Sequence, residues 1–345
     1  MVDNLYAHFP FCRRKCRYCA LYSRVGVAAE ERDASVRQLA RAVRRLPGEA
    51  GRQSLKTIYF GGGSPALCNL RPLFEALAPL RTDATEFTVE LHPLDVTDDT
   101  LAALRDGGVN RISMGVQSLD DATLADMGRG YTVAEAAQAF SRVRRFFGNA
   151  GIDLIVGYPG DPCGGWDRLA DWGLRHCSAY SLQNERGLRH VPDDAWTLDR
   201  LREAADALKA LGLERYEISN FAVKGAECQH NLAVWRGEDY LGLGAGACGR
   251  LGLRRTRNQG ACPHSGACPE EELVTPARDA VERRIFRLRT REGLEASGFP
   301  AWGKALEKFC ETGLLTRDGD VFRLTERGME VCDSILAELV SLAPD

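Results

Sequence analysis

The chain has 345 residues, with 45 Lys and Arg against 48 Asp and Glu and a net charge of -3 with histidine neutral. That length leaves room for about two domains around a substantial core, and the near balance of charge excludes a general electrostatic affinity for nucleic acid or a membrane surface. No apolar run approaches the ~20 residues of a membrane-spanning helix, and Asp3 leads straight into an apolar strand with no signal-peptide pattern. The 12 cysteines are too sparse for a disulfide scaffold, so a protein of the reducing cytoplasm is expected.

The first strand, 6–11, is apolar and stops at Pro10. It delivers the chain to Cys12-Arg13-Arg14-Lys15-Cys16-Arg17-Tyr18-Cys19, three thiols at CxxxCxxC spacing on one loop. A cubane iron–sulfur cluster ordinarily takes four thiolates. Ala20 and Leu21 offer no fourth ligand and Cys68 is remote, so one iron would keep an open coordination position. The alternatives are zinc, which favours paired CxxC or Cys/His sets, and three reduced thiols of no special role. Arg13, Arg14, Lys15 and Arg17 would offset the charge of an anionic cluster, or belong to a solvated loop.

Helix and strand signals then alternate: a charged amphipathic helix over 28–46 closed by Pro47-Gly48, a strand over 55–60 running into Gly61-Gly62-Gly63-Ser64-Pro65, a helix over 70–80, and a strand over 86–91 ending in His92-Pro93. Thr97 caps a third helix. Strands follow at 110–117, 152–157 and 179–182, with helices at 132–147 and 198–211. Strands joined by helical crossovers argue an α/β parallel sheet. Six such repeats with unusual residues after each strand suggest a (β/α)6-type barrel or partial barrel with its site on those loops. A Gly-, Pro- and Cys-rich stretch over 260–269 marks a boundary between a core of 1–260 and a C-terminal unit of 270–345. Cys262 and Cys268 there could form a second metal loop, though a linker is the plainer reading. Beyond it come helices over 277–287 and 303–313, a hairpin over 314–324 turning at Asp318-Gly319, and a last helix over 325–340. This is a winged-helix-like pattern, but Glu326, Glu330, Asp333 and Glu338 point to a structural or docking role rather than DNA binding.

The cysteine spacing, with an aromatic before the last Cys, resembles the signature of radical S-adenosylmethionine proteins. Asn110-Arg111-Ile112-Ser113-Met114-Gly115-Val116-Gln117-Ser118, then Met127-Gly128-Arg129, Asp153 to Gly160, Tyr216-Glu217-Ile218-Ser219-Asn220-Phe221 and His230-Asn231 match in order the oxygen-independent coproporphyrinogen oxidase-like family. The resemblance covers about residues 5–247, and the tail resembles that family's C-terminal domain. It implies a [4Fe-4S] cluster on Cys12, Cys16 and Cys19, and S-adenosylmethionine on the open iron, contacted by Tyr6, Gly62 and Glu90 and cleaved to a deoxyadenosyl radical by an electron from a donor. It also implies that Tyr18, Gly63, Ser64, Gln117, Arg129 and Asp153 match the positions that hold a second S-adenosylmethionine in the oxidases.

Two departures separate the branches of this family. The decarboxylating oxidases carry another Cys two residues after the third cluster Cys, where this chain has Leu21, and a long extension before the cluster, where Tyr6 stands close to the start. Both point to the HemW-like branch, which resembles haem chaperones that pass haem to an acceptor haemoprotein. In that branch a His-Asn-x-x-Tyr-Trp stretch is associated with haem. Here it reads His230-Asn231-Leu232-Ala233-Val234-Trp235, and the resemblance implies His230 as a haem ligand, with Trp235 against the porphyrin and Arg236 near a propionate. The alternatives are oxidative decarboxylation of coproporphyrinogen III, and radical methylation or ring opening of haem.

Overall fold

A computed structural model describes residues 2–50, 54–259 and 269–343; Cys262 and Cys268 lie outside them. Six strands form the parallel core: β1 (Asn4–Phe9), β2 (Thr57–Gly62), β3 (Glu86–Leu91), β4 (Arg111–Gln117), β5 (Asn149–Val156) and β6 (His176–Ser181), each hydrogen-bonded to the next. Between them run α1 (Ala29–Ala50), α2 (Arg71–Leu77), α3 (Asp98–Asp106), α4 (Asp121–Met127) and α5 (Val133–Phe146), and after them α6 (Asp194–Ala210). Start signals hold where a side chain makes them: Thr97 accepts from Thr100 N, and Thr132 with Glu135 forms a capping box. The Pro47-Gly48 stop does not hold. The α1 backbone stays helical to Ala50, because a proline removes one donor and crowds one turn without forbidding the rest.

Register decides which residues face each other. Asn4, Tyr6 and His8 lie beside Thr57, Tyr59 and Gly61. Tyr59 lies beside Thr88, Glu90 beside Ser113, and Asp153 beside Gly115 and Ser178. Since side chains alternate between faces, one face of the sheet is polar. The other carries Leu5, Phe9, Ile58, Phe60, Phe87, Val89, Ile112 and Met114, which share one buried core with Val36, Val43, Leu73, Leu77, Leu101 and Phe140 of the helices. The helices cover the apolar face, and the polar face is left for ligands.

The sheet is larger than six strands and open. After β6 come a two-residue strand at Glu214–Arg215 and β7 (Asn220–Ala222), both antiparallel at one edge. At the other edge β8 (Tyr240–Leu243) runs parallel to β1, followed antiparallel by β9 (Cys248–Leu251), β10 (Arg254–Asn258) and β11 (Pro269–Leu273), giving 12 strands. The glycines of 240–249 and the arginines of 254–257 hid these strands. Between the edges' segments lies α7 (Gln229–Trp235), and after them α8 (Pro276–Arg287). Arg250, Arg255 and Arg283 converge on Asp279 of α8 at 2.7, 2.6 and 2.7 Å. Burial opposes the charge of Asp279, but these guanidiniums hold its carboxyl down at about 2.

The C-terminal unit has its own core, built on Val281, Leu294, Trp302, Leu306, Phe322, Ile335 and Leu339. It contains α9 (Gly303–Glu311) and a hairpin of β12 (Leu315–Asp318) and β13 (Val321–Leu324). The turn is Gly319-Asp320, one residue later than expected, with Gly319 at φ +60°. The expected last helix is two, α10 (Glu326–Glu330) and α11 (Cys332–Ser341), broken at Val331. Gly328 sits so close to the Leu314 carbonyl that a Cβ would overlap it. That pins α10 and lets α11 swing to bury Ile335, Leu336 and Leu339.

Candidate functional site

The site is built on the ends of β1 to β6. Beyond Pro10, Phe11 and Cys12 pair with Arg24 and Val25, so 13–23 is a closed loop. Lys15 Nζ braces it from within, donating to the Leu21 carbonyl and Ser23 Oγ at 2.7 Å each. Cys12, Cys16 and Cys19 are free and half-buried. Burial, then the neighbouring thiols of Cys19 and Cys16, push the Cys12 thiol up to about 11, so the loop gathers the three sulfurs. Among the described residues no three His, Cys, Asp or Glu side chains converge as a single-ion site requires. A cubane presents a separate iron to each thiolate, and three thiols on one loop are a donor set that leaves one of its irons open.

The Gly61-Gly62-Gly63 turn is shaped by what it touches. A Cβ on Gly61 would stand 2.9 Å from Glu90 Oε1, and one on Gly62, at φ +104°, 2.5 Å from the His8 ring. One on Gly63 would stand 2.9 Å from Cys12 Sγ. The turn therefore lies directly against the cysteine loop, with Gly63 N and Ser64 N donating to the carbonyls of Phe9 and Phe11 at 2.7 Å. This cradle beside a three-thiol loop fits a cluster with an open iron and a ligand on it.

The remaining expected residues fall around this cradle. Glu90 accepts from Tyr59 OH at 2.8 Å and Gly62 N at 3.0 Å. Burial, then the charge of Asp153, pushes its carboxyl up to about 7. Asp153 accepts from Ser113 Oγ at 3.0 Å. Gln117 sits at φ +79° on a bulge opposite β5, a conformation that costs a non-glycine residue energy and marks functional sites; Tyr180 OH donates to its Oε1 at 3.4 Å. Buried Arg129 donates to Cys16 Sγ and Tyr18 OH at 3.4 Å each, to the Gly115 carbonyl at 2.6 Å and to Tyr131 OH at 2.8 Å. Tyr6 OH lies 2.9 Å from His8 Nδ1, and His8 Nε2 lies 3.0 Å from the Tyr22 carbonyl. A carbonyl only accepts, and burial lowers the His8 pKa, so Nε2 carries the proton and Tyr6 donates to Nδ1.

Ser64 does not point its proton at a ligand: its hydroxyl donates to Asp95. Asp95, buried on the turn after β3, also pairs with Arg13 Nε at 2.6 Å. It ties the glycine turn to the cysteine loop. The sequence reading missed it, along with Tyr131 and Tyr180; the only signal was an Asp four residues beyond a strand end.

His230 is the exception. Thr57 Oγ1 donates to Asn4 Oδ1 at 2.8 Å, so it accepts from His230 Nδ1 at 2.8 Å. Thr57 begins β2 and Glu86 begins β3, so His230 lies at the opposite end of the strands from the thiols. Its ring is 4% exposed, 5.2 Å from Tyr59 and 6.3 Å from Tyr6 between centroids. Burial, then Arg111, lowers its pKa to about 4. Glu86 caps α7, accepting from Gln229 N at 2.9 Å and His230 N at 3.0 Å. Trp235 carries Arg289 over its ring at 4.7 Å, and Arg236 Nε pairs with both Glu292 oxygens at 3.0 Å. This segment packs against the polar face of the sheet at Thr57 and against the C-terminal unit at Glu292.

The radical SAM superfamily pattern matches residues 6–172. The chain is 30% identical over 380 residues to a protein of Bacillus subtilis named heme chaperone HemW, covering 98% of this chain and 100% of the relative. The chain belongs to the HemW-like radical SAM proteins. A HemW of Lactococcus lactis is 29% identical over 98% of this chain, and the bovine mitochondrial radical S-adenosyl methionine domain-containing protein 1 is 30% identical over 98% of this chain and 87% of its own length. The solved coproporphyrinogen III oxidase HemN of Escherichia coli superposes with a TM-score of 0.79 at 21% identity, over 97% of this chain and 89% of that one, so the two share a fold. Radical SAM membership implies S-adenosylmethionine and a [4Fe-4S] cluster. Among the described residues no helix is long and apolar enough to cross a membrane.

Proposed function

We propose that this HemW-like protein binds haem and hands it to an acceptor haemoprotein in a reducing cytoplasm, on a scaffold that holds a cluster and S-adenosylmethionine. The observation that carries this reading is the end-to-end similarity to the Bacillus heme chaperone, which includes the C-terminal unit. Leu21 in place of the oxidases' additional Cys supports it.

In this reading Cys12, Cys16 and Cys19 hold the cluster, and Tyr6, Gly62 and Glu90 line the place of S-adenosylmethionine. With the cluster bound, the pair supplies one-electron cleavage of a C–S bond, using an electron from a donor. Glu90 offers carboxylate oxygens to an ammonium or a ribose hydroxyl, and the buried Tyr59 and Gly62 N–H fix its orientation. Arg129 sets its positive charge against Cys16. Tyr18, Gly63, Gln117 and Asp153 remain candidates for a second S-adenosylmethionine, whereas Ser64 acts through Asp95. His230 is a structural group in this reading, and haem takes another ligand.

The test is anaerobic reconstitution with iron and sulfide, followed by separate incubations with haem and coproporphyrinogen III. Saturable haem binding by absorbance, with transfer to apomyoglobin as a generic acceptor, is the expected result. Multiple-turnover formation of protoporphyrinogen overturns it in favour of oxidative decarboxylation.

A further inference from the structure

A polar chamber lies below the site, around a buried arginine that the site does not use. Tyr59, Thr88 and Arg111 are successive register partners across β2, β3 and β4, so their side chains share the polar face of the sheet. His176 of β6 joins them on that face. Its partner on β5 is Gly151, which lies beside Ser113, two residues along from Arg111. Thr88, Arg111 and His176 are each at most 1% exposed. Among the described residues the Arg111 guanidinium makes no ion pair, and its Nε is buried with no hydrogen-bond partner. Thr88 Oγ1 and His176 Nδ1 are buried without one as well. Cys228, Glu86, Tyr59 and Tyr216 face Arg111. Burial pushes the Cys228 thiol up to about 12 and raises both phenols, so at neutral pH Glu86 is the anion among them. Its oxygens are taken by Gln229 N, His230 N and, at 3.7 Å, Cys228 Sγ. Glu90 and Asp153, higher on the face, accept from Tyr59, Gly62 N and Ser113. Arg111 is thus a buried charge with no anion in contact, a costly placement in a protein interior.

We propose that this chamber is a binding site for one small inorganic anion of chloride size, held by Arg111 with Thr88 and His176. All three groups present hydrogens. Tyr216 OH accepts from Cys228 N at 3.1 Å and lies 2.8 Å from His176 Nε2. Its own proton therefore goes to Nε2, and the neutral imidazole carries its hydrogen on the unpartnered Nδ1. Burial, then the charge of Arg111, lowers the His176 pKa, which keeps that ring neutral. Thr88 Oγ1 adds a hydroxyl from the neighbouring strand. Asn149, beside Arg111 on β5, leaves Oδ1 unpartnered, and turning its amide presents N–H to the same space. Water satisfies such donors one at a time but leaves the charge of Arg111 unmatched in a medium of low dielectric; an anion answers both needs. Neither the cluster nor haem takes part, so the site stands apart from the function proposed above.

The probe is chloride, with gluconate as an anion too large for the chamber. Thermal unfolding of the full-length reconstituted protein is followed in the two sodium salts at equal ionic strength. Chloride should raise the midpoint saturably, by about 3 °C near saturation. Thr88→Val keeps the shape and removes one donor, so it should need about tenfold more chloride for the same shift. Arg111→Met should lose the shift. Wild-type crystals soaked in sodium bromide should show a bromine anomalous peak beside Arg111 Nε and His176 Nδ1. The soak uses no variant, so it decides the matter even where Arg111→Met fails to fold. Equal wild-type midpoints in chloride and gluconate overturn the site, as does a full shift that survives in both variants. A soaked crystal with no anomalous peak there and water at Arg111 overturns it in favour of a hydrated chamber.

Discussion

Glu90 concentrates the cost of burying charge at this site. Its folded pKa of about 7 lies above the ordinary 4.5, so between those values the folded protein holds a proton that the unfolded chain has released. Stability from this group is complete below pH 4.5 and is lost as pH rises through about 7. Glu90→Gln should flatten that slope in the ligand-free protein, by up to about 3 kcal/mol between pH 5 and 8, measured by denaturant unfolding across pH. Asp95 has a different consequence. Asp95→Asn keeps the shape but weakens both the Arg13 pair and the Ser64 bond, so the glycine turn and the cysteine loop should lose register. S-adenosylmethionine affinity should fall about tenfold while iron and sulfide content stays near wild type, because the thiols themselves are untouched. A mutant with full affinity would show that the two loops hold their places without this carboxylate. Replacing Cys12, Cys16 or Cys19 with Ala should instead abolish the iron–sulfur absorbance after reconstitution.

At the scale of elements, α7 makes packing contacts through the residues that the resemblance assigned to haem. Its N-terminus is capped by Glu86 and its first buried side chain, His230, closes a chain of hydrogen bonds through Thr57 to Asn4. His230→Ala leaves Thr57 without a donor and opens a cavity beside Tyr59, so stability should fall by about 2 kcal/mol in chemical denaturation. Haem affinity of the folded protein should be unchanged in a parallel absorbance titration. The wild-type histidine, with its pKa lowered to about 4, adds stability that is lost as pH falls from 6.5 through 4, the reverse of Glu90.

The whole molecule is a mixed sheet around six parallel strands, with a second small core fastened across a seam that carries several ion pairs. Arg236 pairs with Glu292, Arg202 with Glu330 and Arg291 with Glu227, and ion pairs with a partner still open to solvent contribute little each. The small unit must hold itself together by its core. Trp302 is fully buried, stacks on Phe299 at 4.1 Å and donates to the Leu339 carbonyl at 2.8 Å. Trp302→Ala should cost that unit about 3–5 kcal/mol, seen as an early unfolding transition of the C-terminal helices while the sheet persists.

The sequence by itself determined the alternation of strands and helices, the loop that carries Cys12, Cys16 and Cys19, and the glycine turn at 61–63. These are local: a period of two or 3.6, a proline, a run of glycines or a cysteine spacing is written in neighbouring residues. The four strands beyond Ala233 escaped; in β10 three of the five residues are arginine, and it is a strand only through its neighbours and the Asp279 cluster. Tertiary structure alone decided that Ser64 gives its proton to Asp95, that Gln117 sits on a bulge, and that His230 is buried beside Thr57 at the start of β2. Each depends on which distant side chain shares its face once the register is set, and burial then fixes which groups keep their charge and which hydrogen bonds they make.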